Sequence, residues 1–469
     1  MSLSAALNTS VTGLATIQTQ LSVISGNVAN AQNANYTRKT VTLTTPTAGG
    51  QPQAALVSSV IRATAPYLQA DYYAATANYQ QLITASDNAR TLAEALDATS
   101  TTGKQSTLEG LMTDYEDALK QLEATPEDTA LKALVVQRGQ SLATEVNRLA
   151  GLRSQLESQA QQDIQSSLST LNEASANIAK LNTQIVSQKA AGNPTGDLED
   201  LRDAEVAKIA ELVGVRTVVS DTGVMTVYTD TGTMLAGSTA QKFSYDSTTG
   251  SISNANGVAV TDGFRTGSIR AELDYLDSSA QALASNDGNV GTLAKFFNQL
   301  DSLARNIADV VNAAYDDPAT AAVEQFFTYN AADPAGSLAV DAGLVATPTN
   351  VNAGRAAAVQ QAMRSTTLTA AQVNPAGDPN GLQISSVTIF GLASGILAYN
   401  AKLTSENETN RDTAESLQYT LDQKIRNLTG VDMDTELAQL QTLQTNYAAL
   451  AQIMNAITEM FDQMIAIGS

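Results

Sequence analysis

Residues 440–464 read LQTLQTNYAALAQIMNAITEMFDQM, and the spacing of their apolar side chains decides the fold. Leu440, Leu443, Tyr447, Leu450, Met454, Ile457, Phe461 and Met464 alternate three and four apart without a gap. That is the seam of a helix that packs along another helix. The pattern predicts one helix over about 433–466. At the other end of the chain, Leu3, Leu7, Leu14, Ile17, Leu21, Ile24 and Val28 fall on the same grid, with Ser10 its one polar occupant. The Asn-rich run from Asn30 to Asn35 ends this first helix. Each end of the chain thus carries a heptad seam, and the two are expected to pair as a coiled-coil-like unit.

The polar faces of these helices add a second signal. Residues 1–37 carry no charge, and after Glu436 only Glu459 and Asp462 are charged. A solvated surface helix usually carries Glu and Lys in i,i+4 pairs. Ser, Thr, Asn and Gln stand here instead, and such side chains can be covered by protein without the cost of desolvating charge. Both terminal helices are therefore expected to be surrounded by protein in the working state. The plainer alternative is an intramolecular helical hairpin with a polar outer face.

Working inward, residues 38–70 look extended or irregular, with Thr-rich alternation and Pro46, Pro52 and Pro66 as punctuation. Helical spacing returns at about 67–98, 105–124 and 127–212, where the Gly192-Asn193-Pro194 turn breaks it. Residues 215–270 switch to period two, with short strands and glycine turns. A helical stretch follows at 270–315, a mixed, proline-punctuated one at 318–390, and two helices close the chain. The fold class is mainly α with a smaller β part, an elongated multi-domain rod with a central helical bundle and an outward β-rich domain. The domains expected are 1–66 with 429–469 as a terminal helical unit; 67–212 with 270–317 and 391–428 as a helical rod; 213–269 as a β-rich domain; and 318–390 as a small mixed insertion.

Composition narrows the function. The chain has 469 residues, room for about three domains. Its net charge is −21 and it has no basic cluster, which disfavours a nucleic-acid partner. Cys and His are both absent, removing the thiolate nucleophile, the commonest general base and the commonest metal ligand. No run approaches the ~20 apolar residues of a membrane span, and the N-terminal stretch has no cleaved-signal pattern.

The remaining candidates for chemistry have simpler readings. Asp221-Thr222-Gly223 and Asp230-Thr231-Gly232 repeat a motif known from paired-carboxylate proteases. They lie nine residues apart at successive strand ends, where Asp and Gly make hairpin turns. Asp197, Glu199, Asp200 and Asp203 lack the spacing and central glycine of a calcium loop. They sit at a predicted helix start, where the helix dipole favours negative charge. Gly103-Lys104 is followed by Gln105 and is no phosphate loop. No catalytic, cofactor or metal residue is assigned.

Three motifs resemble those of one family. Gly13-Leu14-Ala15-Thr16-Ile17-Gln18, Ser25-Gly26-Asn27-Val28-Ala29-Asn30 and Asn35-Tyr36-Thr37-Arg38 resemble the N-terminal motif of flagellar axial proteins, with Asn35 where the family usually has Gly. Asn182-Thr183-Gln184-Ile185, followed by Asp197-Leu198-Glu199-Asp200-Leu201-Arg202-Asp203, resembles the middle of the FlgK family of flagellar hook-associated proteins. Gly430-Val431-Asp432-Met433-Asp434-Thr435-Glu436, with Gln444 and Tyr447, resembles that family's C-terminal signature. The departures there are Asp432, Met433 and Thr435, where members more often carry Asn, Leu and Glu.

The resemblance implies a non-enzymatic structural subunit of the bacterial flagellum that joins hook to filament. Its implied partners are itself in a ring, the hook protein, the next hook-associated protein and a flagellar export chaperone. No membrane, nucleic-acid, cofactor or small-molecule partner is expected. The implied location is the extracellular flagellum, reached through the flagellar secretion apparatus without a cleaved signal. The expected assembly interface comprises Leu7, Leu14, Ile17, Leu21, Ile24, Val28, Asn30, Tyr36 and Arg38, with the eight seam residues from Leu440 to Met464. Another axial subunit of hook, rod or filament type, or a soluble coiled-coil adaptor, remains an alternative.

Overall fold

A computed structural model describes residues 3–48, 51–52, 54–96, 107–277, 291–319, 324–375 and 380–468. The chain opens with helix α1 (Leu3–Ala29) and an antiparallel hairpin, β1 (Lys39–Thr44) with β2 (Leu56–Arg62). Lys39 pairs with Arg62 at the hairpin's base, and a bulge interrupts the ladder between Thr42 and Leu43. Helices α2 (Pro66–Leu96), α3 (Leu108–Ala124), α4 (Thr129–Gly151), α5 (Arg153–Ala190) and α6 (Gly196–Leu212) follow. Next come strands β3 (Val215–Val219), β4 (Met225–Thr229), β5 (Met234–Ala236), β6 (Phe243–Asp246) and β7 (Ser251–Asn254). Helices α7 (Ser268–Leu276), α8 (Thr292–Tyr315), α9 (Ala356–Ser365), α10 (Ile389–Thr429) and α11 (Met433–Gly468) complete the labelled elements. The fold is mainly α with a smaller β part, as the periodicities predict.

Local chemistry explains most boundaries. Asp128 caps α4 by accepting from Ala130 N and Leu131 N, and Thr107 caps α3 through Gly110 N. The long apolar pattern of 127–212 is cut twice, at Leu152 and at the turn whose Gly192 has φ +75°. Both Asp-Thr-Gly motifs are hairpin turns, with Gly223 at φ +94° between β3 and β4 and Gly232 at φ +102° between β4 and β5. Helices α2 and α10 run antiparallel, tied by Gln418 Nε2 to Tyr72 Oη and Asn407 Nδ2 to Ala85 O.

Two hydrophobic cores organise the body. The larger joins the end of α2, α3, α4, the start of α5, α8, α9 and the start of α10, with an aromatic cluster of Tyr115, Tyr315, Phe326 and Phe327 at its heart. Segment 326–387 contributes to this core directly through Leu338, Leu344, Val351, Leu368 and Val373. The second core lies where the far half of α5, α6, α7 and the strands meet, around Ile164, Leu171, Ile178, Val206, Val227, Leu235 and Phe264. Among the described residues, neither core takes one from α1, the β1–β2 hairpin or α11. The terminal unit is mounted on the body by other means.

Candidate functional site

The terminal unit is built on α1 and α11 running antiparallel. Gly13 lies against Leu450, and Asn27 lies against Glu436. In the seam of α1, Leu14, Ile17 and Ile24 are buried and Leu7, Leu21 and Val28 half-buried. In α11, Ile457 is buried and Leu440, Leu443, Tyr447, Leu450, Met454 and Phe461 are half-buried. The seams read from the sequence therefore face each other within one chain. Met464 is 63% exposed. The register set by Gly13 and Leu450 places Met464 beyond Leu3, the first described residue of α1. A second apolar set is left outside the seam: Val11, Leu437, Ile453 and Met460 are all exposed.

The base of the unit is polar. Asn27 is fully buried, and its side chain reads the backbone of Lys39 like a strand neighbour: Oδ1 accepts from Lys39 N at 3.0 Å while Nδ2 donates to Lys39 O at 2.9 Å. Nδ2 also donates to Glu436 Oε2 at 3.0 Å, and Tyr36 Oη donates to Asn27 Oδ1 at 3.0 Å. Glu436 is 1% exposed and takes its charge partner from Arg38, whose Nε lies 2.7 Å from Oε1. Asn30 closes α1 by bonding back to Gly26 O. Of the residues the sequence pointed to, Asn30, Tyr36 and Arg38 thus act at the base of the pair and the apolar ones along its length.

The unit meets the body at the first two turns of α6. Lys39 and Arg62, opposite one another in the hairpin, both reach Asp200, which is 6% exposed. Asp200 Oδ2 accepts from Lys39 Nζ at 2.8 Å and Oδ1 from Arg62 Nη1 at 3.1 Å and Thr37 Oγ1 at 2.6 Å. Like charges paired across a hairpin repel; the shared carboxylate between them turns that pairing into a clamp. Arg62 also bonds Glu199 at 2.7 Å and Asp203 at 2.6 Å, and Lys39 bonds Asp197 at 2.8 Å. Lys39 Nζ lies 3.5 Å over the Tyr36 ring. Burial pulls Arg62 and Lys39 toward losing their protons, but the facing carboxylates more than offset it and hold both above their usual range. Burial lifts Asp203 above the usual carboxylate range despite Arg62, whereas Glu199 falls below it because Thr195 and Arg62 outweigh its burial. The acidic run is at a helix start, as its sequence predicts, but its partners are the two hairpin cations, a pairing the sequence reading did not anticipate.

The second turn of α6 faces inward through Arg202. This side chain is 2% exposed, and Nη1 donates to Asn182 Oδ1 at 2.9 Å and to Gly223 O at 2.8 Å. Asn182, on α5, also bonds Met225 N and O and Gly237 O. One motif therefore ties α6 outward to the terminal unit and inward to the sheet. Asn27, Lys39, Arg62, Asp200 and Glu436 were not singled out as site residues from the sequence. The available signal was positional: Arg38 and Lys39 are the first charges in the chain and Glu436 is the last before a long uncharged run.

This combination defines a mainly helical chain whose first and last described helices pair as one arm mounted on a two-core body. The flagellar hook-associated protein FlgK helical domain model matches residues 93–321, so the resemblance drawn from the motifs holds in the body of the chain. Flagellar hook-associated protein 1 of Salmonella typhimurium is 25% identical over 334 residues, 67% of this chain and 57% of that protein. The matched stretch thus spans little more than half the length of that relative. Flagellar hook-associated protein 1 of Bacillus subtilis is 21% identical over 508 aligned positions, 98% of this chain and 97% of its own. The solved structure of the flagellar hook junction protein FlgK from Burkholderia pseudomallei covers 56% of this chain and 47% of that one, at 21% identity and a TM-score of 0.45.

Proposed function

We propose that this chain is a structural subunit of the bacterial flagellum that joins hook to filament, assembling with further copies of itself through its terminal helices. The match of residues 93–321 to the FlgK helical domain carries this reading. The terminal unit supplies the means. Its primary seam is closed within the chain, while Val11, Leu437, Ile453, Met460 and Met464 stay exposed on helices almost free of charge. Apolar side chains on an uncharged face are covered by protein at little desolvation cost. Identical subunits stacked around an axis use heterologous contacts of this kind. The hook protein below and the next hook-associated protein above are the proposed neighbours, with delivery by the flagellar export apparatus and its chaperone. Gold-labelled antibody against the body of the chain should decorate intact flagella in a narrow band at the hook–filament boundary. Label along the whole filament, along the hook, or in the cell body instead would assign the chain to another axial or non-flagellar role.

A further inference from the structure

The mount between terminal unit and body has an unusual make-up. Only two covalent crossings connect them, Ala63-Thr64-Ala65 between β2 and α2 and Gly430-Val431-Asp432 between α10 and α11, and neither lies in a helix or strand. Among the described residues, none of the terminal unit enters either hydrophobic core. The side-chain bonds that reach α6 come from Thr37, Lys39 and Arg62 and end on carboxylates. At the crossings themselves, Arg38 N donates to Thr429 O and Ala63 N to Arg38 O. These two backbone bonds place the crossings side by side. A cleft of about 590 Å³ runs beside them, lined by Thr37, Ala63, Tyr72, Thr217, Asp422 and Gly430.

From this arrangement we propose that the terminal unit is a rigid arm on a pivot, latched to the body by Arg62 and Lys39 gripping the first two turns of α6. Packed apolar cores resist gradual displacement because side chains interlock. A polar interface with two short crossings has no such jigsaw, and its charged groups can exchange partners or accept water once parted. Arg62 is the central strut, since its planar fork engages Glu199, Asp200 and Asp203 together. Opening the latch costs the charge-assisted bonds on α6 but leaves the α1–α11 seam, the Asn27–Glu436–Arg38 base and both cores intact. The arm can therefore change its angle while every folded unit stays folded.

The chain lacks cysteine, so paired spin labels can be placed without background. Labels on Thr442→Cys in α11 and Ser169→Cys in α5 report the angle of the arm; labels on Ser22→Cys and Thr458→Cys report the arm's interior. In otherwise unaltered protein both distance distributions should be narrow. Arg62→Gln should broaden the arm-to-body distribution about twofold or more, because a neutral amide cannot replace three charge-assisted contacts. The interior distribution should not change. Arg62→Lys, which keeps the charge without the fork, should give a width between those of Arg62→Gln and the unaltered chain. An arm-to-body distribution as narrow in Arg62→Gln as in the unaltered chain would overturn the latch. Broadening of both pairs together would overturn the pivot, because the arm would then be melting rather than turning.

Discussion

A β-carbon placed on Gly13 would lie 3.2 Å from Leu450 Cδ1, so the two ends of the chain meet mid-seam through a glycine. This close approach is tighter than ordinary van der Waals contact. It makes position 13 a spacing element of the pair and Leu450 the side chain that fills the space.

Leu450→Asp should therefore separate the arm from within. It sets an unpaired carboxylate at a half-buried position against Gly13 and the α1 seam and removes the apolar side chain that fills the space there, and both effects destabilise the pair. Amide exchange should rise sharply along α1 and α11, with the cores around Leu142 and Ile178 still protected. Thr442→Asp, on the exposed face, is the control and should change little. Gly13→Val should act in the same direction by overpacking, at about 1–3 kcal/mol.

The Arg38–Glu436 pair should respond asymmetrically. Glu436 is 1% exposed while the Arg38 side chain is 31% exposed. Arg38→Ala leaves a buried carboxylate with Asn27 as its remaining side-chain donor among the described residues and should cost about 3 kcal/mol or more of arm stability. Glu436→Gln leaves a guanidinium that reaches water and should cost distinctly less. Denaturant titration of the two variants, followed by exchange in α1, gives the order; equal losses would mean the carboxylate is hydrated.

Asn182→Leu should damage the β-bearing part of the body. The amide satisfies Met225 N and O, Gly237 O and Arg202 at once. An isosteric apolar replacement strands several buried groups, each worth about 1–3 kcal/mol. Loss of the cooperative transition that contains β3–β5, with the α3–α4–α8 core intact, is the expected calorimetric result.

Glu272 on α7 gives a pH dependence. Burial pushes its carboxyl up to about 7, Asp163 adds to the shift, and the bond from Asn88 relieves it only in part. The folded chain thus holds this proton more tightly than the unfolded chain, whose value is ~4.3. The group imposes no cost below the unfolded value; a penalty grows as pH rises between the two and is complete above the folded one, reaching about 4 kcal/mol at most. Glu272→Gln keeps the acceptor for Asn88 and removes the charge. Its melting temperature should exceed that of the unaltered chain at pH 8 and match it near pH 4.5.

Helices and seams were legible in the sequence because each depends on local periodicity. Leu440 to Met464 and Leu7 to Val28 needed only spacing to be placed on one face, and the Asp-Thr-Gly turns needed only Asp and Gly. The mount was not legible, since Lys39, Arg62 and Asp200 are brought together by a hairpin register and a helix more than a hundred residues away. No periodicity encodes that meeting. The acidic run was explicable from its own helix dipole alone, and that sufficient local account concealed its partners. Arg202 shows the same limit: one position beyond Leu201, which is exposed, it points into the sheet and is buried.

The proposed junction role is read by electron microscopy of flagella from a strain lacking this chain. The account predicts complete hooks without attached filaments, with filament protein shed into the medium, and recovery by the unaltered gene but not by Leu450→Asp. Normal filaments on the hooks of the deletion strain would contradict it.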